Sequence, residues 1–143
     1  MKLTYKSADT TDLETLVAIR VTAMKTSLEN LGRFDLDRAR SRFTETFVPE
    51  HTTNIMTGKD IIGFYVLKYR ENHLWLDHLY IKPGFQGTGV GTEVLSDILS
   101  KAKNQGVSVK LCALKESKAN DFYKSHGFVL THSEEWDNYY IYD

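Results

Sequence analysis

Apolar residues at helical spacing predict two helices in the first third of the chain. The first is expected to have Thr11 as its cap, with Glu14 reaching back to it, and to end near Gly32. The second is expected to follow Asp35, whose short side chain suits a helix cap, and to end before Pro49. The predicted apolar faces consist of Leu13, Leu16, Val17, Met24 and Leu28 in the first helix, and Leu36, Ala39, Phe43 and Phe47 in the second.

Strand-like segments dominate the rest of the chain, after a short first strand predicted at residues 3–6. The segment 73–81 is almost continuously apolar apart from Asp77 and His78, which is typical of a strand inside a sheet. The other predicted strands are 52–57, 61–69, 107–113, 128–131 and 139–142, the last two paired, and further helices are predicted from Val90 to a stop at Gly106 and at 117–125. This order predicts a mixed α/β fold in a single domain, 1–143.

The segment Gln86-Gly87-Thr88-Gly89-Val90-Gly91 joins the strand at 73–81 to the next helix. A helix start leaves backbone N–H groups unpaired and partially positive, and glycines let an anion approach them closely. Thr88 and Thr92 would add hydroxyl donors, and Gln86 would contact phosphate or brace the loop. The segment therefore indicates a phosphate-binding loop, with a glycine-rich helix start that binds nothing as the alternative.

Two other phosphate-binding motifs fit this segment less well. A Walker loop needs Lys and then Ser or Thr after Gly89, where Val90 and Gly91 stand. The dinucleotide pattern G-x-G-x-x-G needs a glycine at Thr92, and it usually follows the first strand of a domain.

Composition narrows the function classes. A net charge of −1 without a dense run of Lys or Arg offers no footprint for nucleic acid. No apolar stretch approaches the roughly 20 residues that span a bilayer. We therefore expect neither a nucleic-acid partner nor a membrane partner. A cytoplasmic enzyme or binding domain is the expected class. Cys112 is the only cysteine and the histidines show no ligand spacing, so no disulfide and no metal site are expected.

The chain resembles the GNAT family of N-acetyltransferases in two motifs. The loop at 86–91 is similar to the family pattern Q/R-x-x-G-x-G/A, and Leu79-Tyr80-Ile81-Lys82-Pro83 resembles the strand end that precedes it. Residues 120–128 resemble the second family motif, with Asn120, Tyr123 and the closing Gly-Phe in step. The resemblance covers residues 60–143 well and the N-terminal helix pair more loosely.

This resemblance implies the GNAT fold, with a central mixed, mostly antiparallel sheet splayed at its central strand and about four helices. It implies acetyl-CoA as the acetyl donor, with phosphates on the glycine loop and the pantetheine arm paired with the splayed strand. Leu79 and Ile81, which would supply that backbone, equally suit core positions. The implied cofactor-binding residues are Leu79, Tyr80, Ile81, Gln86, Gly87, Thr88, Gly89, Val90, Gly91, Thr92, Asn120, Phe122 and Tyr123.

The resemblance also implies catalytic roles. Tyr123 matches the tyrosine that protonates the departing thiolate as a general acid, with packing against the sheet as the alternative. A local backbone hydrogen bond is the alternative for Asn120. Trp75 stands where many members carry a glutamate base, so that role does not transfer. Asp77, expected on the strand face of Trp75, and His78, expected on the opposite face, are candidate bases or else satisfied buried polar groups.

The acceptor site is expected along residues 20–47 by the same resemblance. Cys112 is expected to be a small apolar core residue rather than a nucleophile, because no oriented base is evident. The expected contributors are an apolar lining of Met24, Leu31, Phe34 and Phe43, and a carboxylate site of Arg20, Arg33, Arg38 and Arg42, which also fit a solvated helix face. The aromatic residues expected to cap this pocket, or to form a homodimer interface, are Trp136, Tyr139 and Tyr140.

The sequence therefore predicts an N-acetyltransferase that passes the acetyl group of acetyl-CoA to a primary amine of a small molecule or peptide by direct attack. Two alternatives stay open. A non-catalytic acyl-CoA-binding or sensing domain of the same fold would need neither Tyr123 nor a base. A nucleotide-binding α/β protein would use the same loop for another phosphate ligand.

Overall fold

The computed structural model describes residues 2–143, which form one seven-stranded sheet with helices on both faces. The helices are α1 Leu13–Asn30, α2 Leu36–Thr46, α3 Val90–Gln105 and α4 Ala119–Ser125. The strands are β1 Thr4–Ser7, β2 Thr52–Thr57, β3 Asp60–Tyr69, β4 His73–Ile81, β5 Ser108–Leu114, β6 Val129–Ser133 and β7 Asp137–Tyr142. They lie in the order β1-β2-β3-β4-β5-β7-β6, and every neighbouring pair is antiparallel except β4 and β5. No helix within residues 2–143 combines the length and apolar character that a membrane crossing requires.

Side chains that alternate along β3 divide the core between the two faces of the sheet. On one face, α3 and α4 pack through buried residues that include Ile98 and Tyr123. On the other face, α1 and α2 pack through Leu16 and Phe43 onto Phe64. The mixed, mostly antiparallel sheet with four α-helices agrees with the fold predicted from the sequence.

The starts of α1 and α2 can be compared with the caps predicted for them. Asp9 rather than Thr11 caps the 3₁₀ turn before α1, because its side chain accepts from the Thr11 N–H at 2.9 Å while Asp12 accepts from the Asp9 N–H at 3.0 Å. Asp35 caps α2 as predicted, accepting a backbone N–H of the first turn at 3.0 Å. Leu36 was predicted on the apolar face of α2 but is 50% exposed, since it lies at the first helical position, outside the buried part of that helix.

Element bounds follow the apolar pattern closely. Strands β2 and β4 have the predicted bounds, and the other strands differ from them by one or two residues. The helix α3 ends where predicted, at Gly106, whose φ of 67° is a left-handed conformation that favours glycine.

The sheet opens in its centre, between β4 and β5. These strands pair only over His73–Leu76 and Ser108–Leu111, although β4 continues to Ile81 and β5 to Leu114. A bulge lies at the same point, because Leu76 and His78 of β4 pair with consecutive residues of β3 and leave Asp77 without a partner. The predicted splay at the central strand is thus confirmed.

Candidate active site

A cleft of about 720 Å³ fills the opening between β4 and β5. Its walls come from the C-terminal half of α1, the second half of β4, the end of β5, the start of α3 and the first turns of α4. All three predicted catalytic side chains line it: Asp77, His78 and Tyr123.

The edge of β4 presents backbone groups to this cleft. The Lys82 N–H donates to the Ile62 carbonyl of β3 at 2.8 Å. Because N–H and C=O groups of successive strand residues point to opposite edges, Leu79 and Ile81 direct theirs away from β3, into the opening. Their side chains pack on the core below α3. The two interpretations of Leu79 and Ile81 are therefore compatible, since backbone and side chains serve different partners.

The glycine loop presents a row of free backbone donors at the start of α3. Gly87 and Gly89 have φ values of 75° and 89°, which favour glycine, and Gly89 occupies the cap position of α3. The N–H groups from Gly87 to Thr92 have no acceptor within residues 2–143. Together with the helix dipole, these donors make the end of α3 attractive to an anion.

The polar side chains of the loop are used to hold its shape. The Gln86 side-chain amide donates to the Ile81 carbonyl at 2.8 Å, which is the bracing role considered for it. The Thr88 hydroxyl donates to the Phe85 carbonyl, so it is engaged within the loop rather than free as a donor. The Val90 side chain is buried in the core, which leaves only its backbone for a ligand.

Phe122 joins α4 to the start of α3. A Cβ atom on Gly91 would lie 3.2 Å from the Phe122 ring, so glycine allows this close packing. The ring also lies 4.5 Å from that of His126, whose Nε2 is 3.1 Å from the Thr92 hydroxyl. Phe122 and Thr92 line the cleft.

Asn120 lies outside the cleft lining and is fully hydrogen bonded within the protein. Its amide nitrogen donates to the Leu114 and Ser117 carbonyls at 3.0 and 2.9 Å. Its oxygen accepts from Asn138 at 3.0 Å and from the Tyr140 hydroxyl at 2.8 Å. The structure thus gives Asn120 the local hydrogen-bonding role and leaves no free position on its amide for a cofactor.

Tyr123 is 6% exposed and packs against Phe122 and Phe128 with ring centroids at 5.3 and 5.5 Å. Its hydroxyl has no hydrogen-bond partner within residues 2–143. Burial raises the pKa of the Tyr123 phenol well above its ordinary value, so the group carries its proton throughout the neutral range.

The bulge in β4 changes the faces predicted for Asp77 and His78. The prediction that His78 points away from Asp77 is wrong, because the extra residue shifts the alternation by one. The His78 ring packs on Phe43 of α2 at 5.4 Å, and its Nε2 is 3.7 Å from the Asp77 carboxylate. Leu79 packs on the opposite face, below α3. Both candidate bases therefore lie on the α1–α2 face, at one end of the cleft.

Neighbouring groups set the charges of these two residues. Burial, opposed by the Asp77 carboxylate and assisted by the charges of Arg20, Lys68 and Arg42, lowers the pKa of the His78 imidazole to about 4, so His78 is neutral at pH 7. Burial raises the pKa of Asp77, but the His78 ring and the Lys68 ammonium, at 3.0 Å, outweigh this and lower it overall. Asp77 is therefore ionised and paired.

Cys112 lines the cleft rather than the closed core. Burial and three nearby carboxylates raise the pKa of its thiol to about 12, so the thiolate needed for a nucleophile is disfavoured. This agrees with the interpretation of Cys112 as a passive residue.

The acceptor end of the cleft only partly matches the sequence-based expectation. Met24 lines it, and its sulfur accepts from the Tyr80 hydroxyl at 3.3 Å. Thr22 and Ser27 of α1 line it too, and small hydroxyl residues on a helix gave no sequence signal. Phe43 is buried behind His78 instead.

The expected capping residues have separate environments. The Arg33 guanidinium lies 4.2 Å above the Trp136 ring, which links the α1–α2 loop to the β6–β7 turn. Tyr139 stacks on His132 with ring centroids at 4.4 Å. Tyr140 is 1% exposed and bonded to Asn120, so its predicted capping or interface role is wrong for the described chain. Arg38 and Arg42 are exposed, as a solvated helix face requires, but Arg20 is buried.

The protein is thus an α/β domain in which a splayed sheet forms a central cleft with a glycine-loop anion site. Acyltransferase domains belong to this structural class. The family model for the acetyltransferase (GNAT) domain matches residues 22–141. The chain belongs to this family.

Relatives with known activities match part of the chain. It is 28% identical to the thialysine N-epsilon-acetyltransferase of Sus scrofa over 87 residues, which cover 59% of this chain and 51% of that protein. It is 31% identical to the Bos taurus enzyme of the same name over 80 residues, which cover 52% and 47%. The chain thus spans about half the length of the curated relatives it matches.

Solved structures share the fold over nearly the whole chain. The PaiA N-acetyltransferase of Thermoplasma acidophilum, in complex with coenzyme A, has a TM-score of 0.81 at 20% identity and covers 99% of this chain and 98% of its own. An acetyltransferase from Thermus thermophilus has a TM-score of 0.78 at 16% identity, with coverage of 99% and 97%. At these identities the likeness is one of fold.

The low pKa of His78 predicts a stability that depends on pH. Since its pKa of about 4 lies below the ordinary 6.5, the unfolded chain binds the proton more readily, and stability falls as the pH drops from 6.5 towards 4. Between pH 7 and pH 5, His78 should account for a loss of about 2 kcal/mol in the free energy of unfolding. In urea titrations, His78→Gln should flatten this dependence, whereas His132→Gln, at an exposed site, should keep the wild-type slope. Equal slopes in the wild type and His78→Gln would refute the assignment.

Proposed function

We propose that residues 1–143 form one acetyltransferase domain that transfers the acetyl group of acetyl-CoA to a primary amine of a small molecule or peptide. One observation carries this proposal. The free N–H groups at the start of α3, the open edge of β4 and the protonated phenol of Tyr123 all face one cleft. The activity of the related thialysine N-epsilon-acetyltransferases and the coenzyme A complex of the PaiA protein support it.

The cleft has suitable partners for each part of acetyl-CoA. The free N–H groups from Gly87 to Thr92 suit its pyrophosphate. The backbone groups of Leu79 and the N–H of Ile81, which are unpaired at this edge, suit the amide groups of its pantetheine arm, which would complete the interrupted sheet, while the Ile81 carbonyl already accepts from Gln86. The part of the cleft that acetyl-CoA would occupy is also lined by Tyr80, Gln86 and Phe122, and Tyr123 lies deeper in the cleft wall.

Acetyl-CoA would supply an acyl group activated as a thioester. In the proposed reaction the neutral amine attacks the thioester carbon and forms the new C–N bond, the C–S bond breaks, and the sulfur takes the proton of the Tyr123 hydroxyl. The nitrogen gives up its extra proton through water, and this proton restores the Tyr123 hydroxyl. A thiolate that leaves inside the cleft would be a poorly solvated charge, so a proton donor at this point favours its departure. Backbone N–H groups of the open β4 edge would stabilise the oxygen during attack.

The amine must lose a proton before it attacks. His78 is neutral and can accept one, but a pKa of about 4 means that it holds the proton weakly. We therefore assign His78 the role of passing the proton on to water, with Asp77 beside it at 3.7 Å. Asp77 forms an ion pair with Lys68 at 3.0 Å, and it would hold the neighbouring side chains in position at this end of the cleft.

Product formation tests the proposed activity directly. Purified protein incubated with acetyl-CoA and a library of primary amines should release thiol in proportion to acetylated amine. Intact-mass measurement of the protein during turnover should show no acetyl adduct, since the transfer is direct. Tight binding of acetyl-CoA without acetylation of any amine would favour the non-catalytic binding domain, and binding of ATP or NAD instead would favour the nucleotide-binding alternative.

The phosphate loop predicts a strong effect at Gly89. Its φ of 89° is strained for a β-branched residue, although no atom lies within 4 Å of an added Cβ, so Gly89→Val should turn the N–H groups rather than unfold the helix. Calorimetry should show acetyl-CoA affinity at least about tenfold weaker. Gly84→Val is the matched control, with equally open space and no positive φ. Unchanged affinity in folded Gly89→Val would remove the loop from the proposed site.

The proposed acid predicts a loss of rate without a loss of binding. Tyr123→Phe keeps the ring and its packing, so acetyl-CoA affinity should change little while kcat falls by about 10²–10⁴-fold. Tyr65→Phe is the control, because it removes another buried hydroxyl, bonded to Lys101 at 3.1 Å. Wild-type kcat in Tyr123→Phe, with chemistry rate-limiting, would show that Tyr123 only packs.

A further inference from the structure

The imidazole of His126 lies beside the start of α3. His126 is the cap residue at the end of α4, and its ring packs on the Phe122 ring with centroids 4.5 Å apart. Its Nε2 is 3.1 Å from the hydroxyl of Thr92, which lies in the first turn of α3. Thr92 lines the cleft beside Gly89 and Gly91, whereas His126 does not line it. A hydrogen bond through Thr92 thus connects this imidazole with the anion-binding end of the cleft.

Two oxygen atoms near Nδ1 decide which ring nitrogen carries the proton. The Nδ1 atom lies 2.8 Å from the Phe122 carbonyl, which can only accept a hydrogen bond. It also lies 3.1 Å from the Ser125 hydroxyl oxygen, and that hydroxyl donates its own proton to the same carbonyl at 2.8 Å. The neutral ring of His126 therefore carries its proton on Nδ1, and its Nε2 is an acceptor.

The neutral ring engages the proton of the Thr92 hydroxyl. A hydroxyl group has one proton to donate, and an acceptor at Nε2 requires that Thr92 donates it there. The Thr92 side chain forms no other hydrogen bond within residues 2–143. The sequence predicts Thr92 as a hydroxyl donor for phosphate, but this proton is not available to a ligand as long as His126 is neutral.

We propose that His126 is a positioning residue for the pyrophosphate of acetyl-CoA, which frees the Thr92 hydroxyl for the anion when its ring takes up a second proton. Both nitrogens of an imidazolium ring donate, so Nε2 then donates to the Thr92 oxygen and the Thr92 proton can point at the phosphate. The negative charge of the bound pyrophosphate in turn favours the imidazolium form. This inference rests on the proposed binding of acetyl-CoA at the glycine loop, and it needs no assumption about acetyl transfer.

Few protein charges compete with a ligand for His126. No ion pair within residues 2–143 includes its ring. The charged side chains nearest to the pair in sequence are Glu93 of α3 and Asp121 and Lys124 of α4, and all three are exposed, so water and salt screen them. On β7, the Tyr142 ring packs against the residue that follows His126 and forms no hydrogen bond with its imidazole. A change in the titration of His126 on binding would therefore report the ligand.

NMR titration of the imidazole measures this coupling. The protein is titrated alone and with saturating dephospho-CoA, which keeps the pyrophosphate and lacks the phosphate monoester that would itself titrate, and His126→Gln assigns the signal. The ring nitrogen signals of the neutral form should place the proton on Nδ1. The His126 midpoint should rise by about one pH unit with the ligand. In Thr92→Val, which lacks the hydroxyl, the rise should fall to a few tenths, whereas Thr92→Ser should keep it.

The affinity for the ligand must show the same coupling from the other side. A rise of about one pH unit means that dephospho-CoA binds about tenfold more tightly when His126 is charged. In calorimetry, its dissociation constant should therefore increase by about tenfold as the pH rises through the titration of His126. His126→Gln should remove this dependence, whereas His132→Gln, at an exposed site outside the cleft lining, should keep it.

Three results would overturn the proposal. One is a His126 midpoint that dephospho-CoA leaves unchanged. Another is an equal rise in Thr92→Val and the wild type, which would mean that the ligand acts on the ring without the hydroxyl. The third is a neutral ring with its proton on Nε2.

The proposed function fails in a different way. If dephospho-CoA binds with this coupling but no amine is acetylated by acetyl-CoA, the transferase is refuted while the role of His126 stands. If calorimetry detects no binding of dephospho-CoA or acetyl-CoA, the anion site at α3 is refuted and the role of His126 with it.

Discussion

The separation of β4 from β5 after Leu76 is the constraint on which the rest of the structure depends. Backbone groups inside a sheet are normally paired, because an unpaired buried N–H or C=O is costly. Here the edge of β4 after Leu76 has no neighbouring strand, its Ile81 carbonyl is bonded only by the Gln86 side chain, and the cleft exists because the two strands part. The bulge at Asp77 accompanies this departure, so one irregularity both frees the edge and redirects side chains. In the proposed complex, an extended ligand with amide groups would form the backbone hydrogen bonds that this part of the sheet lacks.

The two faces of the sheet make different contributions to the cleft. The α3–α4 face supplies free backbone donors and a phenol that keeps its proton. The α1–α2 face supplies Asp77 and His78, and burial keeps the imidazole neutral although the Asp77 carboxylate opposes it. Donor and acceptor would therefore approach from opposite faces and meet where β4 is bare. A direct transfer suits this geometry, since the nearby thiol of Cys112 is held in its unreactive form.

Local patterns allowed much of this to be predicted from sequence. The strand at 73–81, the glycine loop and the helix after it depend on neighbouring residues, and their bounds agree with the structure. The bulge was missed because it depends on pairing with β3, which alternation along β4 alone does not reveal. The environment of Asn120 was left open for the same reason, because its partners Asn138 and Tyr140 lie 18 and 20 residues away. The burial of Arg20 depends on where α2 packs.

The hydrogen bond from Gln86 to the Ile81 carbonyl fixes the distance between the two ends of the cleft. It ties the glycine loop to the free edge of β4 at 2.8 Å, so the anion-binding end and the strand end cannot slide past each other. The distance from a phosphate held at α3 to the point beside Tyr123 is then a property of the protein rather than of its ligand. The cleft therefore sets the length that a ligand must have to reach from α3 to Tyr123. An acyl carrier whose arm is longer or shorter than this length would still bind through its phosphates, but its acyl group would lie at the wrong distance from Tyr123.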